Sequence, residues 1–278
     1  LLQADGLNPL RTLAGAVDAS VPTPGLSLTF SRSFPVSISQ RFELGSLGRG
    51  WSHNWQYSLQ QAADGTVTIL GPAGQRRVFQ PDSRNRSRYF AQVGDYGMLS
   101  PLTGRAFMLR EKSGLLFAFG ADGKLNYMED LNGNRITAIF DGNRLTRLSH
   151  SSGQYLAITF YPDGLIHTVT DYLGRQTTLT YDLGREHLAG ASFFDGRSVA
   201  YAYGSAHSLM NVTFPDGSRR SFTCDPGHRL IGTYLEDQTE PLWLGYGVAG
   251  EVFSTNAFGY AGKFDYNHRG LLVRTEDA

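Results

Sequence analysis

Tyr172-Leu173-Gly174-Arg175-Gln176-Thr177-Thr178-Leu179-Thr180-Tyr181-Asp182-Leu183-Gly184-Arg185 is the stretch from which the fold can be read. A glycine turn opens it, an alternating run follows, and a tyrosine gives way to a second turn. Thr177, Leu179 and Tyr181 fall on one face and Thr178 and Thr180 on the other, the period of two that belongs to a strand. One unit later Val199, Tyr201 and Tyr203 oppose Ala200 and Ala202 in the same way.

Working outward, the aromatic that ends each strand recurs as Phe119, Phe140, Tyr161, Tyr181, Tyr203, Tyr246 and Tyr266, with Cys224 in the slot before Tyr246, at spacings of 20 to 22 residues. Turn glycines Gly133, Gly153, Gly174, Gly196 and Gly217 keep the same beat; Gln238 takes the sixth position and Gly259 resumes the series. A second set, Gly142, Gly164, Gly184, Gly204, Gly227, Gly247 and Gly270, follows the aromatics. Two turns in each unit leave two strands of about five or six residues, so every unit reads as a hairpin. The pairs Asp122-Gly123, Asp141-Gly142, Asp163-Gly164, Asp195-Gly196 and Asp216-Gly217 suit tight hairpin turns. A lone hairpin is marginal in water, so the units are expected to pair edge to edge in one continuous sheet. The fold class is therefore all-β: an antiparallel β-hairpin repeat array over residues 111–278, continuing past this fragment, preceded by a strand-rich domain over residues 1–110 whose strands fall at 26–34, 52–59, 66–70 and 75–79.

Composition sets the outer limits. With 278 residues and 41% hydrophobic content the chain can bury a substantial core. It has 25 basic and 25 acidic side chains, which gives no overall field to draw it to nucleic acid. Glycine numbers 33, well above average usage, as many tight turns require. Cys224 is the single cysteine, so an intrachain disulfide is excluded. No apolar run approaches the length of a membrane span and no leader is seen, which places any export signal outside the fragment.

Residues that carry chemistry are sparse. His53 sits between Trp51 and Trp55 with Asn54 beside it, but no nucleophile and orienting acid accompany it in the sequence, and the tryptophans read as packing at a junction. His167, His187, His207 and His228 step at about the repeat period without any metal-binding string; His150 and His268 complete the set. Gly45-Ser46-Leu47-Gly48-Arg49-Gly50 has no phosphate-loop lysine, and the turn aspartates lack calcium-loop spacing. Asn85-Arg86-Ser87 and Asn211-Val212-Thr213 fit the glycosylation sequon, which matters only in a eukaryotic secretory setting. The expectation is no catalytic residue, no cofactor and no metal. Tyrosine rings on a β surface can also stack on sugars, which keeps a carbohydrate or surface-adhesion role open.

The strings Leu179-Thr180-Tyr181-Asp182-Leu183-Gly184-Arg185 and Phe264-Asp265-Tyr266-Asn267-His268-Arg269-Gly270-Leu271 resemble the YD repeats of the RHS family. The segment ahead, with Val21-Pro22-Thr23-Pro24-Gly25 through Ser33-Phe34 and Gly48-Arg49-Gly50-Trp51-Ser52-His53-Asn54-Trp55, is similar to the domain that precedes those repeats. The resemblance covers nearly the whole chain from Val21. It implies a β-sheet spiralling into a hollow shell, as in polymorphic toxins of bacterial secretion systems, insecticidal toxin complexes and teneurins. It further implies, as partners, downstream repeats and a C-terminal effector of the same polypeptide, a secretion apparatus or cell-surface glycan, and a secreted or cell-surface bacterial setting. Asp225-Pro226-Gly227-His228-Arg229 departs from the autoproteolytic motif of such shells, with glycine directly after proline, and reads as an ordinary turn.

Overall fold

The computed structural model describes residues 10–248, 250–267 and 272–277, apart from the side chains of Arg86 and Asp237. His268 and Gly270 lie outside these residues. Among the described residues strands make up 56%, and there is no helix of seven or more residues. An 18-stranded antiparallel sheet runs from Met98–Pro101 to Leu272–Asp277 with every strand beside its sequence neighbour. It begins ahead of residue 111, because Met98 to Pro101 already pair with Phe107 to Arg110. A four-stranded sheet holds Ser58–Gln61, Val67–Leu70, Arg76–Asp82 and Asn85–Ala91, and a three-stranded one holds Thr12–Val21, Leu28–Pro35 and Ser52–His53. The stretch expected as one strand at 52–59 is broken at Asn54 and Trp55: the Asn54 side chain accepts the Ser31 N–H at 2.9 Å, and the Gln56 N–H turns back to the His53 carbonyl.

Tyr161-Pro162-Asp163-Gly164-Leu165 shows how the turns are encoded. The Tyr161 N–H donates to the Leu165 carbonyl at 2.8 Å and the Gly164 N–H to the Tyr161 carbonyl at 3.0 Å. Pro162 fixes the φ that the first corner needs, the Asp163 carboxylate accepts the Leu165 N–H at 3.1 Å, and Gly164 takes φ 91°. The carboxylates of Asp122, Asp195 and Asp216 accept the N–H two residues on in the same way, and the glycine of each of these pairs supplies the left-handed corner. Gly133, Gly153, Gly174, Gly196 and Gly217 also have positive φ. Where the sixth glycine is missing, Gln238 itself is left-handed, at φ 58°.

The pairing register shifts by one residue just ahead of Phe119, Phe140, Phe160, Tyr181, Tyr203, Cys224 and Tyr266. Tyr246 pairs with Val252 without a shift. In the third unit the position expected at Tyr161 belongs to Phe160, which lies opposite Ile166, while Tyr161 closes the turn through its own backbone. An aliphatic residue faces each anchor: Leu125, Leu145, Ile166, Leu188, Leu209, Leu230, Val252 and Leu272. All but Leu272 are buried. These aliphatic positions, with the alternating strand residues, form the core of the array. Where a bulge stands beside an aromatic anchor, it bends the strand and lets the large ring lie over the aliphatic side chain.

Two compact units share the chain. One comprises Ala16–Arg32 and Ser52–Thr177, the other Leu1–Gly15, Ser33–Trp51 and Thr178–Ala278. Within the former, Leu59, Val67, Ile69 and Phe79 fill one face of the four-stranded sheet. That sheet meets the array where the Leu59 N–H donates to the Gly123 carbonyl at 2.8 Å. Gly123 is required twice over, since its φ is 77° and a Cβ there would stand 2.2 Å from the Leu59 carbonyl oxygen. Arg32 and Asp18 form a fully buried ion pair, Nε to both carboxylate oxygens at 2.9 and 3.0 Å. Burial pushes the Asp18 carboxyl up, against the pull of Arg32. The Thr177 hydroxyl donates to the Asp18 carbonyl.

Candidate functional site

Of the residues singled out in the sequence, Trp51 falls in one unit and His53 and Trp55 in the other. His53 is buried, stacks on Phe30 at 5.1 Å and accepts the Trp55 N–H through Nδ1 at 3.3 Å. Trp55 donates its indole N–H to the Thr29 carbonyl at 2.9 Å. Burial takes the His53 imidazole down to about 4, so it is neutral at ordinary pH. These contacts are ring packing and backbone bonds. Trp51 belongs to the other unit, where it packs between Phe34 and Tyr201 and donates to the Tyr203 hydroxyl at 2.7 Å.

In that second unit residues 36–50 fold back on the turns of three successive hairpins. Arg49 makes a two-pronged bond to Glu186, at 3.0 and 2.9 Å, and its N–H donates to the Glu186 carbonyl at 2.7 Å. The Phe42 ring stands edge-on to His207 at 5.0 Å. Arg41, with no exposed surface, reaches the third turn, donating to the Ser208 hydroxyl at 3.0 Å and the His228 carbonyl at 3.1 Å. A third bond at 2.6 Å to the Val36 carbonyl holds the guanidinium to its own segment. The three turns that receive the segment carry Arg185, Ala206, His207 and His228 at φ between 53° and 65°, a conformation that costs non-glycine residues about 1–2 kcal/mol each.

His187 and His207 meet here. His187 Nδ1 lies 2.7 Å from the Asp182 carboxylate, and its Nε2 lies 2.9 Å from His207 Nδ1. Burial works against the Asp182 carboxylate and bonds from His187 outweigh it, leaving the carboxyl below its usual range. Burial, with Arg49 and His187 adding to it, lowers His207. Arg49 holds the Glu186 carboxyl below its ordinary value. Of the periodic histidines, this pair is in contact, whereas His167 stacks on Tyr161 at 4.2 Å. Among the described residues no group of three or more His, Cys, Asp or Glu is placed to hold a metal ion. The cluster is a hydrogen-bonded run from Asp182 through His187 to His207 beside the Arg49–Glu186 pair.

The anchors are joined by a rule that operates between hairpins. In four intervals the residue just before the facing aliphatic lies over the anchor of the following hairpin: Lys124 over Phe140 at 5.5 Å and Arg144 over Phe160 at 5.6 Å in one unit, His187 over Tyr203 at 4.6 Å and Arg229 over Tyr246 at 4.5 Å in the other. The Tyr203 and Tyr246 hydroxyls also reach back to the Leu188 and Leu230 carbonyls. The sequence analysis singles out neither the aliphatic partners nor Arg41, although the aliphatic recurs two to five residues after the glycine that follows each anchor.

Residues 12–79 match the family model described as Domain of unknown function (DUF6531). Teneurin-4 of Mus musculus is 30% identical over 110 residues, which is 39% of this chain and 4% of the teneurin. These matches are consistent with the resemblance of the repeats to the RHS/YD type. Among solved structures, TcdB2-TccC3-TEV is similar with a TM-score of 0.39 at 13% identity, covering 93% of this chain and 16% of that one. The Photorhabdus luminescens Tc holotoxin pore carrying TccC3-D651A gives 0.38 at 14% identity, over 94% and 16%. The N-terminal domain of the effector SpvB from Salmonella typhimurium strain LT2 gives 0.23 at 13% identity, over 96% and 98%. The chain thus spans a small part of the teneurin and of the Tc chains. No helix among the described residues is long and apolar enough to cross a membrane.

Proposed function

We propose that this chain is a non-catalytic wall segment of an RHS-repeat shell, which encloses a C-terminal toxin or effector of the same polypeptide and helps to deliver it from a secreted or cell-surface bacterial protein. The observation that carries the reading is the linkage that recurs along the array: in four intervals a cationic or imidazole side chain lies over the next anchor ring, and in two the anchor hydroxyl bonds back to the preceding backbone, so length can be added without a new core. Such a sheet works as a surface, and its polar turns serve its own docking. The alternative, an adhesion or sugar-binding repeat protein, draws on free tyrosine faces. Here Tyr201 is buried, and the Tyr203 and Tyr246 hydroxyls are committed to backbone carbonyls, which favours the wall.

Limited proteolysis and electron microscopy of the full-length protein test this. The expected result is a closed body in which a C-terminal domain survives digestion until the wall is breached. Digestion of that domain at the rate of an exposed one, in an open filament, overturns the reading. Glycan binding by this chain that disappears in Tyr201→Ala, with folding intact, would move the assignment to adhesion.

A further inference from the structure

One interval of the array breaks the stacking rule in both of its members at once. Where other hairpins place Lys124, Arg144, His187 or Arg229 against an aromatic anchor, this interval has Ser208 and Cys224. Two large side chains are thereby exchanged for two small ones, and the space is taken by the Arg41 guanidinium, which has no exposed surface. Its Nη1 bonds the Ser208 hydroxyl at 3.0 Å and the His228 carbonyl at 3.1 Å, and Nη2 bonds the Val36 carbonyl at 2.6 Å. Arg41 and Ser208 also face the Cys224 sulfur: burial pushes the thiol up, while the charge and bonding of Arg41 pull against it.

We propose that Ser208, Cys224 and the His228 carbonyl form a guanidinium-binding site, and that this site is the address that selects one hairpin of the array for docking of residues 36–50. A regular pair of cation and aromatic ring would fill the slot and repel an incoming arginine, so the segment can seat its charge at this interval and is excluded from those that obey the rule. The acceptors engage both terminal nitrogens of the planar fork; a lysine ammonium has a different reach and a single nitrogen. A buried cation is costly unless it is bonded, which makes the slot selective for a side chain that reaches these acceptors together. The assignment concerns how the chain assembles and stands apart from what the whole protein encloses.

The test uses the full chain. Ser208→Arg with Cys224→Tyr restores the regular pair; peptide-level hydrogen exchange is expected to show residues 36–50 exchanging about tenfold faster, with strands Leu188–Ser192 and Leu242–Tyr246 unchanged. Arg41→Ala is expected to lose the same protection and to regain it in millimolar methylguanidinium, with no gain from methylammonium and none in the double variant. If Arg41→Ala does not fold, Arg41→Lys takes its place, and partial protection deepened by methylguanidinium is the expected result. Unchanged protection of residues 36–50 in the double variant overturns the address. Absence of a methylguanidinium effect, or an equal effect of methylammonium, overturns the guanidinium site.

Discussion

The hydroxyl of Tyr246 donates a hydrogen bond of 2.7 Å to the main-chain carbonyl of Leu230, the residue that faces the anchor of the preceding hairpin. Tyr203 makes the equivalent bond to Leu188 at 2.8 Å and also accepts the Trp51 indole N–H at 2.7 Å. The two tyrosines therefore differ in what removal of the hydroxyl leaves behind. Tyr246→Phe is expected to cost about 1 kcal/mol, the net value of one hydrogen bond. Tyr203→Phe also strands an indole donor in a buried setting and is expected to cost about 2–3 kcal/mol. Urea unfolding of both variants checks this, and equal losses would refute the dual role of Tyr203.

Gly174 and Gly196 stand at φ 82° and 83° with open space where a side chain would go. Valine at either position meets no neighbour, so any loss comes from the backbone alone. A β-branched residue strongly resists the left-handed corner, and each substitution is expected to lower stability by about 1–2 kcal/mol. Gln238 is already left-handed at φ 58°, so Gln238→Gly should raise stability by about 0.5–1 kcal/mol. Differential scanning calorimetry reads both signs, and a loss in Gln238→Gly would count against the turn assignment.

These positions also show how far the sequence could be read. The strand alternation around Leu179 and the glycine beat are local signals, and the structure places strands and positive-φ turns there. The anchor of the third unit falls one residue before its sequence assignment because Phe160 and Tyr161 are adjacent rings, and it is the bulge that decides which one faces Ile166. Leu125, Leu188 and Leu230 are visible in the sequence at the repeat spacing. Their role becomes plain once the register sets each against an anchor. Arg41 is different: 167 residues separate it from Ser208, and no local pattern relates a short turn segment to a hairpin so far along the chain.

His53 makes one unit acid-sensitive in a defined window. Burial holds its folded value near 4, while the unfolded imidazole takes up a proton near 6.5. Between these values the unfolded chain binds more protons, so stability falls as pH drops from about 6.5 and levels off below about 4. The loss between pH 7 and pH 5 is about 2 kcal/mol. That interval lies above the range in which the turn aspartates, held low by their hydrogen bonds, begin to protonate. His53→Gln is expected to be less stable at pH 7 and to lose this part of the slope, leaving the share due to His207, which is also lowered. Denaturant midpoints at pH 7, 6 and 5 give the comparison; an unaltered slope in the variant would place the acid response elsewhere.

Leu188 and Leu272 occupy equivalent positions, each facing an anchor across one strand pair, opposite Tyr181 and Tyr266. Leu188 has no exposed surface, and Leu272, on the last strand of the sheet, is half exposed. If the aliphatic row is the core of the array, cost follows coverage by the neighbouring hairpin and not identity of position. Leu188→Ala is expected to destabilise by about 2–4 kcal/mol and Leu272→Ala by less than about 1 kcal/mol. Because each hairpin is stabilised through its neighbours, faster hydrogen exchange in Leu188→Ala should extend to the strands Gln176–Tyr181 and Ser198–Tyr203 on either side. Exchange confined to Leu188–Ser192 would show that the hairpins fold independently, and with that the case for a continuous load-sharing wall would fail.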